Sequence, residues 1–493
     1  MRCLTFFIPF FFVSYLSAQT LVLPGDFPDP SVVKAGDTYW ATATTSNWAP
    51  AFPLLRSTDL IHWELKGHVF DQLPSWADYY FWAPEISYDN GKYYVYYAAH
   101  KRGGNLCVAV ASADKPEGPY TDHGPLMCQE AGSIDAWPMR DNDGKLYLVW
   151  KEDGNSVKLP TPIWAMQMDE QQMKLIGEKK ELFRNDSPWE GNLVEGVSMI
   201  RHGDYIYAFY AGAGCCGRAC SYGIGVARAK DLLGPWEKYP ANPLLANGEQ
   251  WKCPGHGTPI EKEGKYYFLY HAYEKESNVY AGRQGVLSEF TFTADGWIEF
   301  RSGPQGVGAI QPEVKDEFEG RELSAQWQWS VFQKPQLTLE DGRLQLESSP
   351  EKSGSFVGTK TYTADYDAEV SVIADASNAE AGLGLVGDEK NFVVASLRGG
   401  RIVLARVESG KETVLQTTKV KKTREVRLRV QVNDGNEIVF LYSIAGKKFL
   451  PLNETPVDGY FLPPWDRAVR VALMSRGAGG HKAVFDHFFL KNR

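Results

Sequence analysis

Between residues 36 and 271 one short pattern returns five times: GDTYWATA at 36–43, GKYYVYYA at 91–98, GKLYLVWK at 144–151, GDYIYAFY at 203–210 and GKYYFLYH at 264–271. Each copy is a glycine followed by an aromatic-rich run of the kind that favours a strand. The glycines, Gly36, Gly91, Gly144, Gly203 and Gly264, follow one another at steps of 55, 53, 59 and 61 residues. A shorter apolar run precedes each glycine (SVV, EISY, WPM, VSMI and TPIE), so each copy reads as a hairpin closed by a turn such as DNG, DNDG or HGD. A second pattern, STDLIHWE at 57–64, ADKPEGPYT at 113–121 and AKDLLGPWE at 229–237, supplies another turn and an outer strand. Four strands per unit, five units and no sustained helical periodicity predict an all-β chain in which about residues 21–305 form a five-bladed β-propeller. A long β-sandwich would leave the repeat unexplained.

Radial repetition sets the first strand of every unit beside the central axis. Counted back from the turn glycine, Asp29 lies seven residues before Gly36, Trp82 nine before Gly91, Asp135 nine before Gly144, Glu195 eight before Gly203 and His256 eight before Gly264. Three carboxylates, a histidine and a tryptophan are therefore expected at one mouth of the channel. Asp26, ten residues before Gly36, falls out of register and reads as an ordinary loop carboxylate in GDFPDPSVV at 25–33. Buried like charges raise one another's pKa, so such a gathering calls for a ligand, a cation or catalysis. Glycoside hydrolysis needs one carboxylic acid to protonate the departing oxygen and one carboxylate to activate water or attack carbon; a third beside the acid keeps it protonated. The alternatives are a calcium site, for which an Asp-rich loop with closely spaced ligands is lacking, and a non-catalytic propeller that binds glycans at an aromatic-lined mouth.

PDPS at 28–31, WAPE at 82–85, IDAW at 134–137, EG at 195–196, GHG at 255–257 and GR at 282–283 together resemble the ordered motifs of glycoside hydrolase family 43. The resemblance implies a five-bladed propeller and inverting hydrolysis of arabinofuranosides or xylosides. It makes Asp29 the general base, Glu195 the general acid and Asp135 the residue that orients the acid and tunes its pKa. Trp82 resembles the aromatic platform beside the sugar, with a core tryptophan as the alternative, and Arg283 the arginine that binds sugar hydroxyls. His256 resembles the channel histidine that holds a water or a calcium ion in many members, with a structural histidine as the favoured reading; no cofactor is required, and a structural calcium is an option at most. Trp137 and Pro138 stand where the family often has phenylalanine or proline soon after the central aspartate, which makes Trp137 a residue expected to shape the sugar pocket. A retaining mechanism of the invertase type needs a nucleophile motif that PDPS does not resemble. The implied activity is exo-acting release of α-L-arabinofuranosyl or β-D-xylosyl units from plant polysaccharide or oligosaccharide, with galactosides as the alternative substrates.

After about residue 305 the repeat stops, and SGPQGVGAIQPE at 302–313 has the composition of a linker. Alternating runs such as RLQLES, AEVSVIAD, RIVLARVE, EVRLRVQV and AVFDHFFL predict antiparallel strands with one face buried, hence a β-sandwich over 306–493. DEFEGRELSAQWQWS at 316–330 resembles the opening of the concanavalin-like, jelly-roll domain appended to some family 43 xylosidases, which in those relatives packs on the propeller and completes the active-site rim. The basic run KVKKTREVRLR at 419–429 alternates with apolar residues and reads as a solvated strand face. A net charge of -9 argues against a nucleic-acid surface. The first eighteen residues, MRCLTFFIPFFFVSYLSA, have the pattern of a secretory signal and predict a secreted or periplasmic protein of residues 19–493 without a membrane span. Six cysteines follow it, Cys107, Cys128, Cys215, Cys216, Cys220 and Cys253; an oxidising compartment favours disulfides, with CCGRAC at 215–220 as a loop staple near the pocket rim rather than a metal site.

Overall fold

All five aromatic-rich runs become the second strand of an antiparallel sheet; four of these sheets have four strands and the last, which Ile298–Phe300 also joins, has five. The computed structural model describes residues 19–301 and 313–493, so the signal peptide expected at 1–18 and nearly all of the linker expected at 302–313 lie outside the described residues. In sheet one Ser31–Ala35, Thr38–Thr42, Ala51–Ser57 and Glu64–Phe70 pair in chain order. Sheets two, three and four repeat this arrangement from Ala77–Asp89, Ser133–Arg140 and Val194–His202 onward. Sheet five closes differently: Trp251–Lys262, Lys265–Glu274 and Arg283–Phe292 are joined by Thr20–Leu23, so the first strand of the chain completes the last of these sheets. Among the described residues, helix is confined to Asn278–Ala281 and two 3-10 turns.

The hairpin glycines do what the sequence requires of them. Gly36, Gly91, Gly144, Gly203 and Gly264 all have positive φ, between 57° and 84°, and a Cβ at any of them would meet nothing within 4 Å, so backbone conformation and not crowding demands glycine there. The second pattern, STDLIHWE and its relatives, forms the turn between third and fourth strands. The first strand of each sheet lies against the first strand of the next, and that of sheet five returns to that of sheet one. Between sheets, rings from the aromatic runs and from neighbouring strands fill the gaps: Phe52, Phe70, Phe81 and Tyr97 cluster between sheets one and two, and Phe209, Phe268 and Phe290 between four and five.

From residue 313 the chain builds two larger antiparallel sheets, one of nine strands and one of six, which share one apolar core. Glu425–Asn433 shows why: Val426, Leu428, Val430 and Val432 are fully buried while the intervening side chains face outward. The basic run is thus a solvated face, with Arg427 and Arg429 paired to Glu425 and Glu369. These sheets are tied to the first five at several points. Trp329–Ser330 pairs with Trp48–Ala49, and Arg470 donates to Asp26 at 3.1 Å. Asp26 is therefore not an ordinary loop carboxylate. It is 3% exposed, accepts the Ala468 N–H at 3.1 Å, and leaves so little room that a Cβ on Gly282 (φ 90°) would sit 2.3 Å from its Oδ1.

Candidate active site

Where the five first strands meet, four of them depart from regular pairing at the same level. In sheet three, Ile134 faces Lys151 and Trp137 faces Val149; in sheet four, Glu195 faces Ala211 and Ser198 faces Phe209. Each of these two inner strands thus carries one extra residue at that point, and those of sheets two and five carry more than one. A β-bulge of this kind re-aims a side chain out of the alternation. Asp135 and His256 accordingly sit at positive φ (57° and 21°), and Glu195 is followed by Gly196 at 62°; Asp29, also at positive φ (49°), lies just before the regular first strand of sheet one. Glycine is needed at 196 twice over, since a Cβ would also meet His256 Cγ at 2.8 Å.

Asp29, Trp82, Asp135, Glu195, His256 and Arg283 all line one cavity of about 340 Å³. Trp137 does not. The bulge between Ile134 and Trp137 reverses the strand's alternation, so Asp135 turns to the cavity and Trp137 packs with Val149, Val197 and Met199 between sheets three and four; its expected part in the sugar pocket is corrected. The sequence reading also missed several residues. Lys151, Asp153, Tyr80 and Tyr222 line the cavity, and so do Trp465 and Asp466 from the far end of the chain. Lys151 ends the third aromatic run, GKLYLVWK, where a lysine closing an apolar strand was the available signal.

The carboxylates are held differently. Asp29 Oδ1 accepts from Arg283 Nη1 at 3.1 Å and Oδ2 from Thr44 Oγ1 at 2.7 Å. Burial is the largest single influence and would raise its pKa, but the Arg283 guanidinium, together with His271 and His256, outweighs it and keeps the carboxyl far below its usual range. The Asp29 backbone N–H donates to His271 Nδ1 at 3.0 Å, and burial holds that imidazole neutral, with a pKa down to about 4. Asp135 Oδ2 accepts the Gly196 N–H at 2.9 Å. Burial, opposed by His256 and reinforced by the charge of Glu195, pushes Asp135 up to about 6. Glu195 is also buried, but Lys151 Nζ on its Oε2 and the Tyr222 hydroxyl on its Oε1 outweigh that effect and lower it. His256 Nδ1 stands 3.7 Å from Asp29 Oδ1 and 3.9 Å from Asp135 Oδ1, between the two.

Aromatic rings and the second pair of sheets close the cavity. Tyr80 stacks on Trp82 at 4.2 Å, and Trp465 meets Trp82 edge-on at 5.8 Å. Asp466 accepts from Arg283 Nη2 through its backbone oxygen at 3.0 Å and from Ser46 through its side chain, while Ser46 also accepts from Trp82 Nε1 at 3.1 Å. Cys215 and Cys216, joined to each other, form part of the wall; Cys220 is joined to Cys253 and Cys107 to Cys128. A calcium shell needs six to eight oxygens. The oxygens nearest His256 belong to Asp29 and Asp135 and are already engaged by Arg283, Thr44 and Gly196, and among the described residues no group of three or more His, Cys, Asp or Glu is arranged to hold a metal ion.

Such paired carboxylates in an aromatic-walled cavity are equipped for acid–base work on a glycoside. The family model for glycosyl hydrolases family 43 matches residues 18–298, and one for the beta xylosidase C-terminal concanavalin A-like domain matches 315–464.

The chain belongs to glycosyl hydrolase family 43.

As a member of that family it is a glycosidase. A non-reducing end alpha-L-arabinofuranosidase from Bacteroides ovatus is 26% identical over 84% of this chain and 82% of its own length. A xylosidase/arabinosidase from Butyrivibrio fibrisolvens is 29% identical over 66% of this chain and 63% of its own. Among solved structures, the xylan beta-1,4-xylosidase from Bacillus halodurans shares the fold with a TM-score of 0.82 at 21% identity, over 96% of this chain and 100% of that one.

Proposed function

We propose that this family 43 glycosidase is inverting and exo-acting, and that it releases terminal α-L-arabinofuranosyl or β-D-xylosyl units from plant polysaccharide or its fragments. The observation that carries the reading is the different set of partners that Asp29 and Glu195 meet in one cavity. Asp29, held anionic by Arg283 and Thr44, suits the base that activates water; Glu195, lowered by Lys151 and Tyr222, is read as the acid through its neighbour Asp135, whose carboxyl is raised to about 6 and supplies the proton that Glu195 passes to the departing oxygen. Asp135 orients the acid through the Gly196 N–H and shares its proton. Trp82 serves as the platform for the sugar face, Arg283 as a donor to its hydroxyls, and His256 as a bridge between the carboxylates. The reaction uses no cofactor. The wall formed by Trp465 and Asp466 supports a pocket for a terminal unit over an open groove, and the names of the two relatives support pentose substrates.

The same reading takes the five sheets, whose first strands form a closed ring, as the blades of a five-bladed propeller within a catalytic domain of residues 19–305. Residues 306–493 are then a β-sandwich accessory domain that completes the rim. Export after loss of residues 1–18 is supported by relatives named extracellular, from Cellvibrio japonicus and Bacillus subtilis. No helix among the described residues is long and apolar enough to cross a membrane.

Inversion requires room for water between base and acid, with carboxyl groups about 6.5–9.5 Å apart. Proton NMR of the first sugar released from an aryl xyloside should show the anomer opposite to the substrate's; a retained anomer rejects the mechanism. Trp465→Ala should raise KM about two- to tenfold, the worth of one aromatic contact at roughly 0.5–1.5 kcal/mol, with a smaller change in kcat. An unchanged KM would remove the C-terminal sheets from substrate binding.

A further inference from the structure

Lys151 is the least expected member of the cavity wall. Its side chain is 1% exposed, and it follows Leu148, Val149 and Trp150, all wholly buried, in the strand Leu146–Glu152. Its Nζ donates to Asp153 Oδ1 at 2.8 Å and to Glu195 Oε2. A buried ammonium needs a counter-charge, and Asp153 alone would neutralise it. The second contact, to the proposed acid, therefore exceeds what burial of the lysine demands.

That contact has a chemical consequence. An ammonium has three donors and no lone pair, and a hydroxyl oxygen accepts from it more weakly than an unprotonated carboxyl oxygen does, so the proton is favoured on the oxygen that the ammonium does not hold. Oε2 of Glu195 faces Lys151, and Oε1 faces the Tyr222 hydroxyl, which can turn from donating to accepting. The proton that Glu195 gives to a leaving group thus belongs on Oε1.

Resting on the reading of Glu195 as the acid, we propose that Lys151, seated on Asp153, is a positioning residue: it selects Oε1 as the proton-bearing oxygen and draws the pH range of proton donation toward acid. The charged and titratable groups facing Glu195 are Lys151 and Asp153 from sheet three, Asp135 from the same sheet, Tyr222 from sheet four, and His256 from sheet five. Asp29 lies beyond His256. Lys151 favours the anion of Glu195; Asp153 opposes it.

Opposite signs follow for two substitutions. Lys151→Met removes the charge that stabilises the Glu195 anion, so the alkaline limb of kcat/KM, which reports the free enzyme, should move up by about one pH unit or more. Asp153→Asn removes a competing anion, so that limb should move down. Lys151→Arg keeps the charge and should hold the limb near its original place. Limbs unmoved in the folded variants, or moved the same way by Lys151→Met and Asp153→Asn, would overturn the proposal; should Lys151→Met fail to fold, Asp153→Asn and Lys151→Arg decide alone. Glu195→Gln, assayed on dinitrophenyl and methyl pentosides, checks the underlying assignment separately. Equal loss on both substrates removes the acid assignment and the Lys151 proposal with it. Loss confined to the methyl pentoside, with unmoved limbs in the other variants, overturns the Lys151 proposal alone.

Discussion

Asp29→Ala, Asp135→Ala and Glu195→Ala should each lower kcat/KM on aryl xylosides and arabinofuranosides by about 10²–10⁴-fold, the usual range for loss of a positioned acid or base. The pattern across substrates separates the three. Without Asp29 no group remains to take the proton from attacking water, so the loss should be uniform whatever the leaving group. Without Glu195 the loss should be largest for alkyl leaving groups, which need the proton, and should shrink for nitrophenols, which do not. Asp135→Ala should fall between, because it removes the acceptor of the Gly196 N–H, 2.9 Å away, and so slackens the backbone that carries Glu195. Steady-state kinetics on a graded series of leaving groups provides the measurement. Retained activity of Glu195→Ala on alkyl glycosides, or a leaving-group dependence in Asp29→Ala, would undo the assignment of roles.

Asp26→Ala should destabilise the protein by about 3–5 kcal/mol, the cost of breaking a buried ion pair from one side. The substitution leaves the Arg470 guanidinium, 1% exposed, with the neutral Gln328 Oε1, the Ala468 carbonyl and the Trp48 ring at 5.1 Å as its neighbours. The pair also fixes the segment that carries Trp465 and Asp466, since Asp26 accepts the Ala468 N–H. Calorimetry should therefore show a lowered transition, and KM should rise along with it. Asp26→Leu combined with Arg470→Met removes both charges and should recover much of the stability, because the loss comes from an unpaired charge rather than from the missing bond. A single variant that unfolds within about 1 kcal/mol of the parent would show that the contact contributes little.

How legible the site was depends on which forces place each residue. Asp29, Asp135, Glu195, Trp82 and His256 were found by counting back from a turn glycine, and all five line the cavity. That count works because a hairpin glycine at positive φ and the two-residue alternation of a strand are local properties, fixed by a few neighbours. Trp137, expected in the pocket from its place soon after the central aspartate and not from that count, lies elsewhere because a one-residue bulge just before it reversed the alternation, and no local pattern announces that bulge.

The sequence by itself determined the strands, their turns, their grouping into five repeats and a second unit, and the set of inner-strand residues that converge. Only the tertiary structure decided what each of them meets. Lys151 and Tyr222 reach Glu195 from sheets three and four, His271 meets the backbone of Asp29, and Trp465 closes on Trp82. Asp26, which the sequence leaves as a spare loop carboxylate, finds its partner 444 residues further along the chain. Strand propensity and turn chemistry act over a few residues, whereas a buried charge takes its partner from whichever surface the packing of sheets brings within about 3–4 Å, and nothing local encodes that encounter.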